Sequence, residues 1–434
     1  MSALAEPLFT VIIPTKNRAV YLEKTLLTCT LQTYANLEVI VSDDGSDDGT
    51  KDVVVRAAAR DPRIRYVTPG APVGMRENFE FALNHVRPGY VMALGSDDGL
   101  LPYAFEGMLE VLRSTGQELL TWATPIFNYA GVRNDSSQLI IPTGRGVRLV
   151  RSAEVLARQS KNLSYVTDVE LPMMYVKGVA ATHLVERVRS RSRDNRFYVC
   201  STPDGYSGIV LAGEVQSYAF SRTPFSLYGA SPSSQGVAYM SGTESAKKQS
   251  AQFFKDAEQV PMHEELASQP YSPLISVMTA DFLLHARDLP GWGGQVAPID
   301  YRLLLHKSVQ ELSHGLYAQD RVGRELSILL RIAERHGLDS EFKTLVKGTQ
   351  RYIQKSPYPG SGIRPGQLFF NGTSFGLRDI VDAAYFVAAY NGVRASMGLL
   401  PALAALYRSV AYRLLSQRRG SAFPSEEHWA TPGQ

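Results

Sequence analysis

Cysteine is scarce in this sequence of 434 residues, since Cys29 and Cys200 are the only two. So few cysteines exclude a small scaffold held together by disulfides, and we expect two buried free thiols. No apolar run approaches the roughly 20 residues that a membrane-spanning helix needs. The first residues also lack the basic and apolar regions of a secretory signal, so a soluble, cytoplasmic chain is expected.

The sequence lacks an excess of charge of either sign. It has 45 Lys and Arg against 42 Asp and Glu, a formal net charge of +3. This balance gives no general attraction to nucleic acid, and no nucleic-acid partner is expected. The hydrophobic content of 44% suffices for a large core, and the length exceeds the needs of one ordinary domain.

Two glycine-rich nucleotide-binding motifs are missing as well. Neither G-x-G-x-x-G after the first strand nor the P-loop motif G-x-x-x-x-G-K-[ST] occurs. In both motifs the glycines let backbone N–H groups approach phosphates. A diphosphate bound by this chain would therefore need a cation to neutralise it.

Short apolar runs alternate with amphipathic segments from residue 8 to about 120, which predicts an α/β fold with a mostly parallel sheet flanked by helices. The predicted strands are Leu8–Ile13, Leu37–Val41, Ile64–Val67, Tyr90–Leu94 and Leu119–Trp122, followed less regularly by Leu139–Ile141 and Met173–Val176. A helix is predicted near Ala180–Val188, and a helix followed by two short strands within Tyr198–Gly229.

The pattern changes after Pro232 to mostly helical spacing, with helices predicted at Tyr301–Leu316, Arg324–His336 and Ile380–Tyr390. We therefore predict a catalytic domain over 1–240, with a nucleotide-binding half at about 8–120 and an acceptor half at about 121–240. A mainly α-helical C-terminal domain is predicted over 241–434.

Three polar clusters directly follow predicted strands. They are Pro14-Thr15-Lys16-Asn17-Arg18, Ser42-Asp43-Asp44-Gly45-Ser46 and Ser96-Asp97-Asp98. Ligands of open parallel sheets bind beyond the carboxyl ends of the strands, so these clusters should share one edge of the sheet.

The second cluster continues as Asp47-Asp48-Gly49, and its early spacing is that of an EF-hand calcium loop. The twelfth position of such a loop is Val55, where a bidentate Glu is required, so this interpretation fails. Asp47 and Asp48 are better explained as turn and helix-capping residues. Asp43 and Asp44 lie at the strand end, where a carboxylate can accept hydrogen bonds from a nucleobase or a ribose.

The third cluster offers two adjacent carboxylates. If the segment is a strand, Ser96 and Asp98 point to one side and Asp97 to the other. One carboxylate can then bind a divalent cation that bridges phosphate oxygens, while the other holds the sugar or a metal-bound water. A helix start capped by Asp98 is the alternative for this cluster taken alone.

In combination, VIIPTKNR, VIVSDDGSDDGT and ALGSDDGLLP resemble the nucleotide-binding half of family 2 glycosyltransferases with the GT-A fold. The resemblance covers roughly the first 120 residues and, more loosely, the region to about 230. It implies an inverting transfer from a nucleotide-sugar, with UDP favoured, and Mn²⁺ or Mg²⁺ as cofactor. The implied donor-binding residues are Pro14, Thr15, Lys16, Asn17, Asp43, Asp44, Ser96 and Asp97. Asp97 and Asp98 are the implied metal ligands, although Ser-Asp-Asp departs from the Asp-x-Asp pattern.

An inverting transfer also needs a base for the acceptor hydroxyl. Asp204 in Cys200–Tyr206 resembles the late acidic motif that supplies this base in the family, and Asp168 and Glu170 are the alternates. Thr202, Pro203 and Asp204 also fit an ordinary helix start. Arg76, at a helix start near the donor, is a further nucleotide-binding candidate.

Two later segments have open interpretations. The stretch Phe225–Pro232 suits a flexible lid over the donor or an ordinary linking loop. Residues 399–419 place Leu403, Leu406 and Leu414 on one helical face. Such a helix fits a peripheral contact with the inner face of a membrane, packing on its own domain, or a homo-oligomer through the C-terminal helices.

The resulting prediction is a metal-dependent inverting glycosyltransferase of surface polysaccharide or cell-envelope synthesis, acting on a glycan or lipid-linked acceptor. One alternative is a nucleotidyltransferase, although PTKNR lacks the glycine-rich loop usual there. The other is a non-catalytic nucleotide-sugar-binding or scaffold protein.

Overall fold

A computed structural model describes residues 6–132, 135–240, 244–257, 259–350 and 360–397. The chain divides into two compact units, residues 1–385 and 386–434. The predicted amphipathic helix over 399–419 lies outside the described residues. The domain boundary near residue 240 stays a prediction. No helix among the described residues has both the length and the apolar character needed to span a bilayer.

The larger sheet has eight strands in the order β3-β2-β1-β4-β10-β6-β11-β9. These strands are β1 (Phe9–Thr15), β2 (Leu37–Asp43), β3 (Ile64–Val67), β4 (Tyr90–Ala93), β6 (Leu119–Trp122), β9 (Val147–Arg151), β10 (Gly178–Ala181) and β11 (Ser217–Ser221). The first four pair in parallel, as do β6 and β11, whereas β10 and β9 run antiparallel to their neighbours.

A second sheet of six strands has the order β13-β14-β8-β7-β12-β5. Its strands are β5 (Gly99–Leu100), β7 (Ile126–Asn128), β8 (Gln138–Pro142), β12 (Ser226–Ala230), β13 (Gly362–Arg364) and β14 (Gln367–Asn371). The hairpin of β13 and β14 comes from the C-terminal region and pairs with β8, a connection the sequence pattern did not predict.

Helices flank the larger sheet and make up most of the C-terminal region. They are α1 (Ala19–Thr30), α2 (Thr50–Ala58), α3 (Met75–Leu83), α4 (Ala104–Thr115), α5 (Ser152–Asn162), α6 (Thr182–Arg191), α7 (Asp204–Ala212), α8 (Gln235–Met240), α9 (Glu244–Ala257), α10 (Ile275–Arg287), α11 (Tyr301–Ser313), α12 (Gln319–Arg335), α13 (Asp339–Gly348) and α14 (Ile380–Met397). The predicted fold class, a mostly parallel α/β sheet followed by a mainly helical region, is confirmed.

The core lies on both faces of the larger sheet. Along β1, Val11 and Ile13 join one buried cluster and Ile12 the other, because successive side chains of a strand point to opposite faces. Helix α1 covers the first face through Leu22, and α3 covers the second through Phe79. Strands buried on both faces need continuous apolar runs, which is why these strands were predictable.

The segment Met173–Val176 is not the strand that was predicted. It makes only an isolated bridge between Ala93 and Tyr175, and Val176 has a left-handed φ of 65°. The strand forms after it, at Gly178–Ala181, so the predicted helix near Ala180–Val188 begins at Thr182 instead. The segment leaves the sheet and packs close to the turn that follows β4.

The helical region packs on the sheet domain through α10, which contacts α7 and α5. The loop after α10 adds a specific bond, because the indole Nε1 of Trp292 donates to the carbonyl oxygen of Val210 at 2.8 Å. The C-terminal helices therefore support the helix that begins with Asp204.

Both cysteines are buried and free, as expected.

Candidate active site

The loops after β1 and β2 are joined by polar contacts. Lys16 Nζ lies 3.1 Å from Asp44 Oδ2, and the backbone N–H of Asp44 donates to the carbonyl oxygen of Thr15 at 2.9 Å. Pro14 is the penultimate residue of β1 and pairs with Ser42 of β2. The first two polar clusters therefore meet at one sheet edge, as their positions after parallel strands predicted.

Asn17 fastens these two loops together. It has a φ of 52°, a left-handed conformation that Asn tolerates better than most residues. Its backbone N–H donates to Ser46 Oγ at 2.8 Å, and its side-chain oxygen accepts from the backbone N–H of Asp47 at 2.9 Å. In this structure Asn17 positions the loops, and its role in donor binding stays a prediction.

The two aspartates at the end of β2 are buried and already hydrogen-bonded. Asp44 accepts from the backbone N–H groups of Val73 and Gly74 at 2.6 and 3.2 Å. Asp43 accepts from the backbone and side chain of Ser46, and from the Tyr66 hydroxyl at 2.9 Å. A carboxylate has about four lone-pair sites, so both retain acceptor capacity for a ligand.

Asp48 takes the helix-capping role that was expected of this cluster. Its carboxylate accepts from the backbone N–H groups of Ala19 and Thr50, the first residues of α1 and α2, at 2.9 and 3.1 Å. Burial opposes ionisation, but the bonds from Thr50 and Ala19 outweigh it and lower the pKa of Asp48. Asp48 therefore stabilises two helix starts and lies outside the candidate chemistry.

Residues 94–98 after β4 form a turn, not the strand that was assumed for Ser96, Asp97 and Asp98. The Ser96 hydroxyl donates to Thr15 Oγ1 at 2.8 Å and thereby ties this turn to the first loop. Asp98 has no exposed surface and accepts from the backbone N–H groups of Gly95 and Gly229 at 2.6 and 2.7 Å. The direction of each carboxylate is thus set by the turn and its partners.

Asp97 is held through one oxygen only. Its Oδ2 accepts from the backbone and hydroxyl of Ser231 at 3.2 and 2.6 Å, and from the Ser234 hydroxyl at 2.7 Å. Among the described residues, no donor is bonded to Asp97 Oδ1. Asp97 Oδ1 can therefore interact with a bound ligand.

Asp97 Oδ1 and Asp98 Oδ2, the second of which accepts from the Gly95 N–H, converge beside Gly95. A methyl group built on Gly95 would lie 2.8 Å from Asp98 Oδ2, 3.3 Å from Asp97 Oδ1 and 2.5 Å from the Tyr175 hydroxyl. Burial, followed by the charge of Asp97, raises the pKa of Asp98 well above its ordinary range. A divalent cation suits this space, because oxygen ligands fit Mg²⁺ and Mn²⁺ and the cation would offset the repulsion between the carboxylates.

Arg18 is a site residue to which the sequence assigned no role. Its guanidinium donates to the carbonyl oxygen of Ser233, and burial lowers its pKa against the opposing charge of Asp97. Arg18 therefore supplies a partly buried positive charge between the first loop and the segment that holds Asp97. Arg18 belongs to the first polar cluster, PTKNR, by its position in the sequence. Its contact with Ser233 depends on the tertiary fold and could not be predicted from the local sequence.

The stretch for which a flexible lid or a linking loop was considered is mostly a buried strand. Residues 226–230 form β12, which pairs with both β5 and β7. Gly229 has a structural requirement here, since a methyl group at this position would overlap the carbonyl oxygen of Asp97. The lid interpretation is wrong for β12, and the following turn with Ser231 and Ser234 holds Asp97.

Asp204 is the first residue of α7, with Pro203 at the N-cap position where Thr202 was expected. Burial raises the pKa of Asp204 to about 6. The charge of Asp204 contributes to the raised pKa of Asp98. Burial, followed by the charges of the carboxylates Asp98, Asp97 and Asp204, raises the pKa of Tyr175. The candidate base and the candidate metal ligands are therefore electrostatically coupled across one site.

The alternate bases Asp168 and Glu170 lie in a separate ion-pair cluster. Arg158 contacts Asp168 at 3.1 Å and Glu170 at 2.8 Å, and Arg148 also pairs with Glu170. Both carboxylates are therefore already engaged by arginine side chains. The geometry favours Asp204 over both alternates.

Arg76 lies in the first turn of α3 and pairs with Glu77 at 2.6 Å. Its charge opposes the burial that raises the pKa of Cys200. A donor-binding role for Arg76 stays a prediction.

A comparison with known families adds to this geometry. The family described as "Glycosyl transferase family 2" matches residues 10–167. This part of the chain is similar to glycosyltransferase family 2. The family 2 region contains all three polar clusters, whereas Asp204 and the Asp97-binding turn after β12 lie beyond it.

Two curated relatives match part of this chain. The GalNAc(5)-diNAcBac-PP-undecaprenol beta-1,3-glucosyltransferase of Campylobacter jejuni is 37% identical over 105 residues, which is 24% of this chain and 34% of the relative. The validoxylamine A glucosyltransferase of Streptomyces hygroscopicus subsp. jinggangensis is 54% identical over 63 residues, 14% of this chain and 15% of the relative. The chain therefore spans no more than about a third of either relative.

A solved structure of S. aureus TarS 1–349 in complex with UDP shows a weak overall similarity. Its TM-score is 0.43 at 15% identity, over 83% of this chain and 95% of that chain. This similarity is too low to bear on the chemistry of the site.

Proposed function

We propose that this chain is a metal-dependent, inverting glycosyltransferase that moves a sugar from a UDP-sugar to a glycan or lipid-linked acceptor. The observation that carries the proposal is the convergence of Asp97 Oδ1 and Asp98 Oδ2 beside Gly95, with Asp204 electrostatically coupled to them. Two metal-binding carboxylates and a separate base are the groups that such a transfer requires.

The cation site fits Mn²⁺ or Mg²⁺, held by Asp97 and Asp98. When bound, the cation would neutralise the diphosphate of the donor and of the leaving nucleotide. The remaining contacts of Asp97 Oδ2 and Asp98 with Ser231, Ser234 and Gly229 fix both carboxylates before a ligand arrives. Such preorganisation avoids rearrangement of the site during the reaction.

Asp204 serves as the base in this proposal. A base works best when its pKa lies near the operating pH, and burial raises the pKa of Asp204 to about 6. At neutral pH the carboxylate is mostly ionised yet still accepts a proton readily. It would take the proton of the acceptor hydroxyl as the oxygen attacks the anomeric carbon, and the nucleoside diphosphate would leave with the bonding electron pair.

The donor nucleotide would occupy the edge formed by the first two loops. Asp44 and Asp43 have remaining acceptor capacity for the base and ribose, and Lys16 is 37% exposed beside Asp44. Thr15, which follows Pro14, accepts a hydrogen bond from Ser96 and so connects this edge to the turn that carries Asp97 and Asp98. Arg18 adds a positive charge next to Asp97 and is placed to face the diphosphate.

The acceptor class rests on the relatives. The Campylobacter jejuni relative is named for an undecaprenol-linked glycan, and chondroitin synthases of Pasteurella multocida and Escherichia coli are also similar to part of this chain. These names support a role in surface polysaccharide or cell-envelope synthesis, and we propose that the enzyme acts at the cytoplasmic face of the membrane. No described residue supports the membrane contact or the homo-oligomer considered from the sequence.

A panel of nucleotide-sugars, each tested with Mn²⁺, Mg²⁺ or chelator, tests the function. We expect one UDP-sugar with a divalent cation to raise the melting temperature, since a ligand that binds only the folded state stabilises it. Slow hydrolysis of that donor to UDP and free sugar should accompany binding. Binding without turnover in the presence of glycan and lipid-linked acceptors would favour the scaffold alternative, and transfer of a nucleotidyl group would favour the nucleotidyltransferase.

A further inference from the structure

A second cluster of potential metal ligands lies outside the candidate active site. The thiol of Cys200, a carboxylate oxygen of Asp281 and a ring nitrogen of His285 all lie within 4.8 Å of one another. Cys200 and Asp281 are buried, and 26% of the His285 side chain is exposed. Neither the function proposed above nor the family match uses these residues.

The cluster joins two elements of the fold. Asp281 and His285 lie at positions i and i+4 of α10, a spacing that places side chains on one face of a helix. Cys200 belongs to the segment that leads into α7, which begins at Asp204. The three side chains therefore come from two separate parts of the sequence. The tertiary fold brings them together, so they are not simply neighbours within one loop.

Three polar atoms in and near the cluster lack a hydrogen-bond partner. His285 Nε2 is buried without a hydrogen bond of good geometry and lies 3.4 Å from Asp281 Oδ1. Among the described residues, the fully buried Tyr206 hydroxyl and the Thr202 hydroxyl have no hydrogen-bond partner either. Buried polar groups are rarely left unpaired, so this grouping indicates an additional ligand.

We propose that Cys200, Asp281 and His285 bind a Zn²⁺ ion that connects α10 to the segment leading into α7. Sulfur, imidazole nitrogen and carboxylate oxygen are the three ligand types that zinc takes in proteins, in a tetrahedral arrangement. Neighbouring ligand atoms of a tetrahedral zinc site lie somewhat over 3 Å apart, given metal–ligand distances of about 2.0–2.3 Å. The 3.4 Å separation of His285 Nε2 from Asp281 Oδ1 already meets this requirement.

The charges of the ligands suit a buried dication. A thiolate and a carboxylate together carry the two negative charges that balance Zn²⁺, and His285 binds as the neutral imidazole. On binding, the S–H bond of Cys200 breaks, a Zn–S bond forms and one proton passes to solvent. The buried site is then electrically neutral, which avoids the large cost of an unpaired charge away from water.

A neighbouring residue orients the carboxylate. The backbone N–H of His263 donates to Asp281 Oδ1 at 2.7 Å, and this oxygen keeps a second lone pair for the metal. Such an outer bond to a metal-binding carboxylate is a regular feature of zinc sites. If the proposed function is correct, the zinc also helps to fix the start of α7 and hence Asp204, but the metal site does not depend on that role.

The zinc content of the full-length protein tests the proposal. The purified protein is stripped with chelator, incubated with Zn²⁺, desalted and analysed for metal. We expect one zinc per chain, with binding weakened in Cys200→Ser and His285→Gln by more than the roughly 10- to 100-fold that loss of an outer partner costs. Cys29→Ser, which removes the other buried cysteine, is the matched control and should keep the metal. Zinc retained equally by all variants, or by none including wild type, overturns the proposal.

A spectroscopic measurement separates this site from the donor cation. Co²⁺ bound through a thiolate gives a sulfur-to-metal charge-transfer band, which should be present in wild type and Asp98→Asn and absent in Cys200→Ser. If Asp98→Asn lacks activity but keeps the band, the two metal sites are distinct. A Co²⁺ complex of wild type without this band contradicts Cys200 as a ligand, whatever the outcome for glycosyl transfer.

Alkylation of the wild-type protein covers the case in which the variants fail to fold. Bound Zn²⁺ should slow modification of Cys200 by a thiol reagent, measured by peptide mass spectrometry, with Cys29 as the internal reference. Equal rates for Cys200 with and without Zn²⁺ overturn the proposal.

Discussion

The backbone N–H of Gly229 donates a 2.7 Å hydrogen bond to Oδ1 of Asp98, although 131 residues separate the two in the sequence. This bond attaches the turn after β4 to the second sheet. It also brings Gly229 so close to the chain at Asp97 that a methyl group would overlap its carbonyl oxygen. The candidate metal ligands thus depend on β12, which lies beyond the region that matches family 2.

Substitution of Gly229 tests this dependence. We expect Gly229→Ala to lower the free energy of unfolding by about 3 kcal/mol or more, because the backbone must shift and the bond to Asp98 is lost. Gly323→Ala is the control, since Gly323 lies in α12 with no atom near the added methyl group and alanine favours a helix. Thermal unfolding of both variants is the measurement, and equal melting temperatures would contradict the steric argument.

The space beside Gly95 leads to a prediction about the cation. Gly95→Ala should weaken Mn²⁺ binding at least about 10- to 100-fold, because the methyl group would enter the space between Asp97 Oδ1 and Asp98 Oδ2. Activity as a function of Mn²⁺ concentration measures this effect. Gly236→Ala, at an open position in α8, should leave the metal dependence unchanged.

In Gly95→Ala the added methyl carbon would also conflict sterically with the Tyr175 hydroxyl, which lies 2.5 Å from its position. The double variant with Tyr175→Phe removes this conflict while the methyl group still faces Asp98 at 2.8 Å. A folded double variant with wild-type Mn²⁺ affinity would show that the cation binds elsewhere.

The predicted strands agree with the structure to within a few residues for a physical reason. Strands buried on both faces require nearly unbroken apolar runs, and Leu119–Trp122, buried along its whole length, has the predicted bounds. Ile64–Val67 also has the predicted bounds, although only Ile64 is buried there. The meeting of the polar clusters was equally predictable, since the carboxyl ends of parallel strands share an edge. These conclusions depend only on local pattern and on one general rule of topology.

Other features depend on contacts between distant residues and had no local signal. Met173–Val176 has the composition of a strand, yet the turn after β4 occupies the neighbouring space. Ser231 and Ser234 donate to Oδ2 of Asp97 and so leave Oδ1 as the oxygen that can bind a ligand. The alternation argument for Ser96–Asp98 failed because those residues form a turn, in which the period of a strand does not apply.

A buried ion pair links the two halves of the predicted catalytic domain. Glu80 of α3 accepts from Arg189 of α6 at 2.6 Å, and from the backbone N–H groups of Phe197 and Tyr198 at 3.0 Å each. Glu80→Ala should lower the free energy of unfolding by about 3–5 kcal/mol, since it leaves a buried guanidinium without this partner. Glu186→Ala removes an exposed partner of the same arginine and should cost less than about 1 kcal/mol. Denaturant unfolding distinguishes them, and similar losses would contradict a dominant role for burial.

The pKa of Asp204 leads to a prediction about activity. If Asp204 is the base, kcat/KM should rise with pH, pass its midpoint near pH 6 and then level off, because only the ionised carboxylate accepts the proton. Asp204→Asn should lose at least about 100-fold in kcat/KM while still binding the UDP-sugar. Asp168→Asn is the matched control and should keep the same pH profile. A pH profile unchanged by Asp204→Asn would exclude Asp204 as the base.

The same substitution should stabilise the protein at neutral pH. The native state keeps the Asp204 proton up to about pH 6, whereas an ordinary aspartate releases it near 3.8. The native state therefore binds more protons between these values, and the free energy of unfolding of wild type falls as pH rises through them. Asparagine does not ionise, so the stability of Asp204→Asn relative to wild type should increase between pH 4 and 7 by up to about 3 kcal/mol. Melting temperatures in metal-free buffer measure this change, with Asp52→Asn at an exposed position as the control. A constant difference between Asp204→Asn and wild type across that range would show that burial does not hold the Asp204 proton in the native state.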